Sequence, residues 1–556
     1  MINSQTKDAV LLKRIEASQA GSCCSLRIGD LSGDGRYDFV LICPDDVSDE
    51  RYFSHSVASA AAYSADGELL WQIGTPSYGN AKCATDVPAQ IYDIDRDGFN
   101  EFLCVMDGMF CIFDGKTGEL KRKNPLPDPE AHDCFAIANL DGSGYPQNII
   151  IKNRYHKLWA LDKNFNILWT YKGNIGHFPI ACDLNGDGRD EIITGCSVLD
   201  ADGNVMWEFD RTDFPKSICV GDLDMSGKYT IVAGGEKTDA YTSDGIIKWS
   251  LKNNAQTYSL SPGNIRTDIF GTEIAGYFKE DEESEYTDGI FTVDYHGNTL
   301  FKEKRAQYGG FSNVTTVFNF DGNGAEYLLA APQADNELYL YDGGMNPIYK
   351  IPANGKVISA DIIGNDISQI IVYDGQNILI YADSQRELSV SLAKESRPQK
   401  RSFCNMTDYP YCIQDLSRNA LGYAIGQFAR PDIKVWAEQC TASDAEEMMT
   451  RADFCILLVN ILNISGYTTD LFFDVTVNDY YAPAVAALKS NGYIDDIVGK
   501  FSPDSALTAD FAEKLITSAA GIIPLTTKSG EEELTKKDAA KLILQIIQSI
   551  EEKNIL

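Results

Sequence analysis

Short apolar runs alternate with Gly, Asp and Asn from the start of the chain to about Leu392. Asn148–Ile151 and Ile192–Leu199 are typical, β-branched and bounded by turn residues. Runs of this kind predict β-strands. Residues 393–402 (Ala-Lys-Glu-Ser-Arg-Pro-Gln-Lys-Arg-Ser) are polar and basic and read as a linker. After them the apolar period lengthens to three or four residues. Helices are predicted over Arg451–Ile464, Ala482–Ser490, Ala509–Ala520 and Lys536–Ile550. Thr450 and Thr535 each precede an Asp by three residues, Asp453 and Asp538, which predicts helix N-caps. The expected organisation is a β domain at 1–392, the linker, and a helical domain at 403–556.

Two phrases repeat within the β region. The first is an acidic nine-residue loop that opens a strand: Asp30–Asp38, Asp93–Glu101 and Asp183–Glu191. Decayed copies start at Asn139, Asp222, Asn319 and Asp361, with a poor one near Asn264. The second is a turn leading into an apolar strand that often ends in Trp. It runs Asp66 to Trp71, Asp114 to Leu120, Asp162 to Trp169, Asp202 to Trp207 and Asp244 to Trp249. It continues at His296 to Phe301, Asp342 to Tyr349 and, weakly, Asp383 to Leu388. Eight copies of each, about 40 to 60 residues apart, predict a mainly β fold: an eight-bladed β-propeller of four-stranded blades. Seven blades is the alternative, because the copy near Asn264 is weak.

Positions 1, 3, 5 and 9 of the acidic loop offer oxygen ligands, and Gly at position 6 permits a sharp turn. The fullest set is Asp93, Asp95, Asp97 and Glu101. Asp183, Asn185, Asp187 and Glu191 come next, then Asp30, Ser32, Asp34 and Asp38. This is the chemistry of a hard divalent cation, most plausibly Ca²⁺. The same loops also read as tight turns closed by side-chain hydrogen bonds. A bound Ca²⁺ would brace a blade rather than do chemistry.

The net charge is −33. Phosphate backbones would be repelled, so nucleic acid is not expected as a partner. No apolar run approaches the roughly 18 residues of a membrane span. The start, Met1–Asp8, lacks the layout of a signal peptide. Many of the 14 cysteines lie in apolar strands, among them Cys104, Cys182, Cys196 and Cys219. There they pack as small hydrophobes, which suits a reducing compartment.

Against this acidity, one segment is basic. Lys152, Arg154, Lys157, Lys163 and Lys172 face a single acid, Asp162, and Tyr155, His156 and His177 lie among them. Such a patch suits an anionic sugar. Elimination on a uronate requires a cation near the carboxylate and a base for the acidified proton. Tyr155 or His177 is the candidate base, Arg154 the clamp, and Lys152 and Lys172 candidate substrate contacts. The plainer reading is a set of solvated strand ends with a packed histidine. Likewise Trp71, Trp169, Trp207 and Trp249 either stack on sugars or pack the blades, and their regular recurrence favours packing.

The acidic loops resemble FG-GAP-type propeller repeats. The stretch Lys152–Tyr155, Leu158–Trp159, Asn166–Trp169 and Gly176–Glu191 resembles the family 11 rhamnogalacturonan lyases. That resemblance implies a calcium-binding eight-bladed propeller cutting pectic rhamnogalacturonan, an acidic polysaccharide, by β-elimination. The tail is similar to S-layer homology repeats at Phe473–Val475, Tyr481–Ile494 and Phe501–Asp504. Their boxes start at Thr450, Thr508 and Thr535. This implies docking onto cell-wall polymer, with Arg451 facing it, and a place at the cell surface. A non-catalytic carbohydrate- or partner-binding propeller on the wall is the alternative to the lyase.

Overall fold

The computed structural model describes most of residues 6–384, residues 411–413 and most of 437–553. The main stretches outside the description are 79–86, 281–286, 307–313, 331–336, 385–410, 414–436, 442–447 and 465–471. The linker at 393–402 therefore lies outside the described residues.

Eight sheets form the β region, each with four antiparallel strands, and two of them carry a fifth strand paired in parallel. Blade 1 runs Ser25–Gly29, Asp38–Pro44, Val57–Tyr63 and Leu69–Gly74. Blade 3 runs Cys134–Ala138, Asn148–Lys152, Lys157–Leu161 and Ile167–Lys172. First strands of neighbouring blades pack on one another, as Ser25–Gly29 does on Ala89–Tyr92 and Ser217–Gly221 on Ala255–Gly263, so they surround the axis and the fourth strands form the perimeter. The architecture is the expected eight-bladed propeller. Val10–Glu16 supplies the outermost strand of blade 8, antiparallel to Asn377–Ala382. The ring is thus closed by the start of the chain. The phrase expected at Asp383–Leu388 plays no described part in it, since residues 385–388 lie outside the described residues.

The two repeated phrases have separate structural causes. In each full acidic loop the position-9 carboxylate accepts the backbone N–H of position 2. The bonds are Leu31 N to Asp38 at 2.9 Å, Ile94 N to Glu101 at 3.0 Å and Leu184 N to Glu191 at 2.8 Å. Two of the decayed copies keep a comparable bond with an amide: Leu140 N to Asn148, one residue further on, and Ile362 N to Gln369, both 2.9 Å. What survives in these two copies is the turn-closing hydrogen bond, which a buried N–H requires.

The second phrase joins blades. The indoles of Trp71, Trp169, Trp207 and Trp249 each donate to a carbonyl in the turn of the next blade: Gly115, Ala201, Ser243 and Tyr295. A Cβ at Gly118, Gly203, Gly245 or Gly297 would sit 2.5–2.7 Å from that ring. The turn glycine is thus fixed by the preceding blade's Trp as well as by its own positive φ. These tryptophans pack blades and do not present sugar platforms.

Four helices follow: α1 (Arg451–Leu462), α2 (Ala482–Ser490), α3 (Ala509–Ala520) and α4 (Lys536–Lys553). Thr450, Thr508 and Thr535 cap α1, α3 and α4 through their hydroxyls. The residues entering these helices are tied to one another by bridges between Met448 and Thr535, Thr450 and Ala506, and Thr508 and Glu533. The helical core, including Phe454, Leu458, Val485 and Ile543, is continuous with apolar residues of blades 5 and 6 such as Leu223, Phe278 and Tyr295. Within the range expected to be helical there is also a strand. Tyr411–Ile413 pairs in parallel with Ser217–Gly221 on its axial edge. No helix among the described residues is long and apolar enough to cross a membrane.

Candidate functional site

Antiparallel strands alternate direction, so the loops sort onto two faces. The acidic loops and the Trp-linked turns emerge on one face. The loops between second and third strands, and those between blades, emerge on the other. Four of the five histidines lie in loops of that second face: His55, His132, His156 and His177. His296 sits in a turn of the acidic face.

The candidate residues meet on the histidine face around Asp133. Lys152 and Arg154 both pair with this buried carboxylate, Arg154 Nη1 at 2.9 Å. Burial pushes Asp133 up, but the two cations outweigh it and hold the carboxyl below its usual range. Ser54, from the long 45–56 loop of blade 1, donates to the same carboxylate at 2.9 Å. Ser56 hydrogen-bonds His132 Nδ1 at 3.2 Å. The expectation that Lys152 contacts substrate meets a plain obstacle: its side chain is fully buried, and its ammonium is held by Asp133 and the Arg154 carbonyl. The local sequence lists one acid because Asp133 arrives from the preceding inter-blade loop. Lys172 is exposed at the end of the perimeter strand of blade 3 and is not brought to this cluster.

The rest of the cluster is aromatic and cationic. The Arg154 guanidinium lies 5.1 Å from the Tyr155 ring centroid. Tyr155 meets His177 edge-on at 5.8 Å, and both rings contact Phe214 at 5.7 and 5.5 Å. Lys216 places its ammonium 4.5 Å from the Phe214 centroid. Backbone bonds from Gly173 N to His156 O and from Ile175 N to Tyr155 O, both 3.1 Å, lock the two loops together. His177 remains partly exposed. Burial, and then the charges of Lys152, Arg154 and Lys216, push its pKa well below 6.5. Its imidazole is therefore neutral at neutral pH, and a weaker base than an ordinary imidazole. Burial lowers the Lys216 pKa as well. Asp133, Phe214 and Lys216 escaped the sequence reading. The signal that points to them is topological: all three lie in inter-blade loops, as does His177.

On the acidic face the three full loops differ. In blade 4, Asp183 accepts from Gly186 N, Asp187 N and Gly188 N, while the Asn185 amide bridges Asp187 and Glu191. Arg189 turns away to the Leu140 carbonyl and Asp202. Among the described residues no ammonium or guanidinium pairs with Asp183, Asp187 or Glu191. Burial, with the charges of Asp187 and Asp183, pushes Glu191 up to about 7. This oxygen-rich, unneutralised set fits a hard cation. In blade 1, Arg36 pairs with Asp34 at 2.8 Å and with Asp66 at 2.9 Å, drawing position 5 partly out of the set Asp30, Ser32, Asp34 and Asp38. In blade 2, ligand atoms of Asp93, Asp95 and Glu101 lie within 4.8 Å of one another. Lys121 already reaches that loop: its ammonium lies 2.8 Å from Asp95, 3.0 Å from Asp97 and 2.6 Å from Glu101.

In the tail, Arg451 Nη1 donates to the Phe501 carbonyl at 3.2 Å, and its guanidinium lies over the Phe511 ring at 4.9 Å.

No protein-family model matches the chain. It is 25% identical to the rhamnogalacturonan exolyase YesX of Bacillus subtilis, over 36% of this chain and 42% of that protein. It is 26% identical to the rhamnogalacturonan endolyase YesW of the same organism, over 32% of this chain and 38% of that one. The matches thus span less than half the length of these curated relatives. Among solved structures, the rhamnogalacturonan lyase YesW superposes with a TM-score of 0.47 at 19% identity, covering 68% of this chain and 76% of that one. The chain is an eight-bladed propeller similar in part of its sequence to rhamnogalacturonan lyases.

Proposed function

We propose that this protein acts on uronate-containing pectic polysaccharide by β-elimination, at the histidine face of the propeller. The observation that carries the reading is the convergence of Arg154, Tyr155, His177, Phe214 and Lys216 in loops of one face, in a chain of strongly negative net charge. The similarity to rhamnogalacturonan lyases supports it.

Lys216, with the field of Arg154 behind it, meets the uronate carboxylate and acidifies the adjacent C–H. Neutral His177 accepts that proton. The C–H electron pair becomes the new C=C bond, and the C–O bond at the β carbon breaks. The departing oxygen leaves with its electron pair and takes a proton from the Tyr155 hydroxyl. Asp133 touches no substrate; it positions Arg154 and Lys152. Stabilising the developing charge with fixed cations is effective in a partly buried site.

Ca²⁺ belongs to the same proposal as a brace. Asp183, Asn185, Asp187 and Glu191 would hold it in blade 4, and Asp30, Ser32, Asp34 and Asp38 form the next candidate set. Its chemistry there is neutralisation of loop charge, away from the reacting face.

The test is ultraviolet absorbance during incubation with rhamnogalacturonan and other uronate polymers, since elimination makes an unsaturated uronate. Wild type should release it, and Tyr155→Phe and His177→Ala should not. Tight retention of the polymer without any unsaturated product would replace the lyase by a binding propeller. For the tail, the linked capped turns support a separate proposal, docking onto cell-wall polymer. Pull-down on wall sacculi should weaken in Arg451→Ala. Equal retention of variant and wild type, or no binding by wild type, would leave the helices a structural role only.

A further inference from the structure

Blades 2 and 4 carry nearly the same loop. In both, position 1 accepts backbone N–H groups from positions 5 and 6, as Asp93 does from Asp97 and Gly98 and Asp183 does from Asp187 and Gly188. In both, position 9 closes the turn through one carboxylate oxygen. They differ in what meets the remaining oxygens. In blade 4 it is the neutral Asn185 amide. In blade 2 position 3 is Asp95, and Lys121 enters from the perimeter strand Leu120–Pro125.

Lys121 is the second residue of its strand. The second residue of the perimeter strand is Leu70 in blade 1, Leu168 in blade 3 and Met206 in blade 4. In blade 5 it is Lys248, and there too the ammonium crosses to the acidic loop, 2.9 Å from Asp224 and 3.2 Å from the Thr230 hydroxyl. One position thus places a cation over the loop in two blades. Both of these loops carry Asp at position 3, Asp95 and Asp224.

We infer that Lys121 is the built-in counter-ion of the Asp93–Glu101 loop, so that this loop, the fullest acidic set in the chain, holds a tethered ammonium in place of a divalent cation. Three charge-assisted contacts, from Asp95, Asp97 and Glu101, hold the ammonium. The tether keeps it at high local concentration, whereas a free cation must be drawn from solution. An incoming Ca²⁺ would have to break all three contacts and leave the ammonium beside a dication. Lys248 plays the same part in the decayed loop of blade 5. The inference is independent of whether blade 4 binds Ca²⁺.

Calcium stoichiometry by titration calorimetry on the full chain tests it, with wild type, Lys121→Met, Asp95→Ala and the double variant. Met is the residue at the matching position of blade 4, and Ala removes the position-3 oxygen, which Asn would keep. Lys121→Met should bind one Ca²⁺ more per chain than wild type, and the double variant should lose that ion. Asp95→Ala alone should bind as many as wild type. A wild type that loses one Ca²⁺ on Asp95→Ala overturns the inference, because calcium would then be displacing the ammonium. A Lys121→Met chain that folds and gains no ion overturns it as well. If Lys121→Met does not fold, the Asp95→Ala result decides.

Discussion

The two faces of this propeller handle charge in opposite ways. On the acidic face, carboxylates repeat with the blades, and each set is tied into its own turn: Asp38, Glu101 and Glu191 all accept the N–H of their position 2. Charge there is local and architectural. On the histidine face the clustered residues come from different blades. Ser54 comes from blade 1, Asp133 from the loop entering blade 3, Arg154 and Tyr155 from within blade 3, and Phe214 from the loop entering blade 5. Residues gathered from several blades at one place are what a site requires and what a repeat cannot supply. The difference teaches that periodic residues report the scaffold, while the residues that break the period mark where to look for chemistry.

The comparison can be broken most forcefully at Asp133. Removing one partner of a buried ion pair typically costs about 3–5 kcal/mol. Asp133→Asn would leave Lys152 and Arg154 buried with a neutral amide. It should lower stability in denaturant melts by that order and disorganise the histidine face, while leaving calcium stoichiometry unchanged. A change in calcium binding would show that the faces are coupled.

Calcium is the next effect down. Ligand binding only to the folded chain stabilises it by about 2.7 kcal/mol at a hundredfold excess over Kd. Added Ca²⁺ should raise the Tm and EDTA should lower it, and Asp187→Asn should abolish the blade 4 part of that response. A Tm indifferent to both reagents would remove the cation from blade 4.

A pH effect separates the faces further. The native His177 pKa lies well below 6.5, near which the unfolded chain titrates. As pH falls through about 6.5, the unfolded chain takes up a proton that native His177 refuses. Its contribution to stability is present above that pH and is lost on acidification. His177→Gln should flatten the stability profile between neutral pH and about pH 5. An unchanged slope would mean that the imidazole is protonated in the native state. The smallest effect belongs to the exposed pairs. Arg36→Ala, which releases Asp34 and Asp66, should cost only about 0.2–1 kcal/mol.

The same distinction explains what could be read from the sequence. The eight blades were legible because a turn-closing acid or amide recurs in blades 1, 2, 3, 4 and 8 and, at four interfaces, a Trp requires a glycine opposite. The helical caps at Thr450 and Thr535 were legible for a similar reason: they are local. The closing strand Val10–Glu16 was not, because its partner Asn377–Ala382 lies at the far end of the ring. Nor was the axial strand Tyr411–Ile413. In the histidine-face cluster, Arg154, Tyr155 and His177 fall close together in sequence, so one stretch of chain marks all three. Asp133, Phe214 and Lys216 enter from other loops, and no local pattern marks them. The basic patch looked unopposed for the same reason, since Asp133 is absent from its own stretch of chain.

The central claim is that chemistry resides on the histidine face and bracing on the acidic one. The most direct test measures release of unsaturated uronate and Tm together for wild type, Tyr155→Phe, His177→Ala and Asp187→Asn, in Ca²⁺ and in EDTA. Losing a general acid or base typically costs about 10²- to 10⁴-fold in rate. The account predicts that Tyr155→Phe and His177→Ala lose turnover on that scale with the calcium-dependent Tm shift intact. Asp187→Asn should lose the blade 4 share of that shift and keep its turnover wherever it stays folded. Full turnover in both histidine-face variants, or its loss in folded Asp187→Asn alone, would contradict the claim.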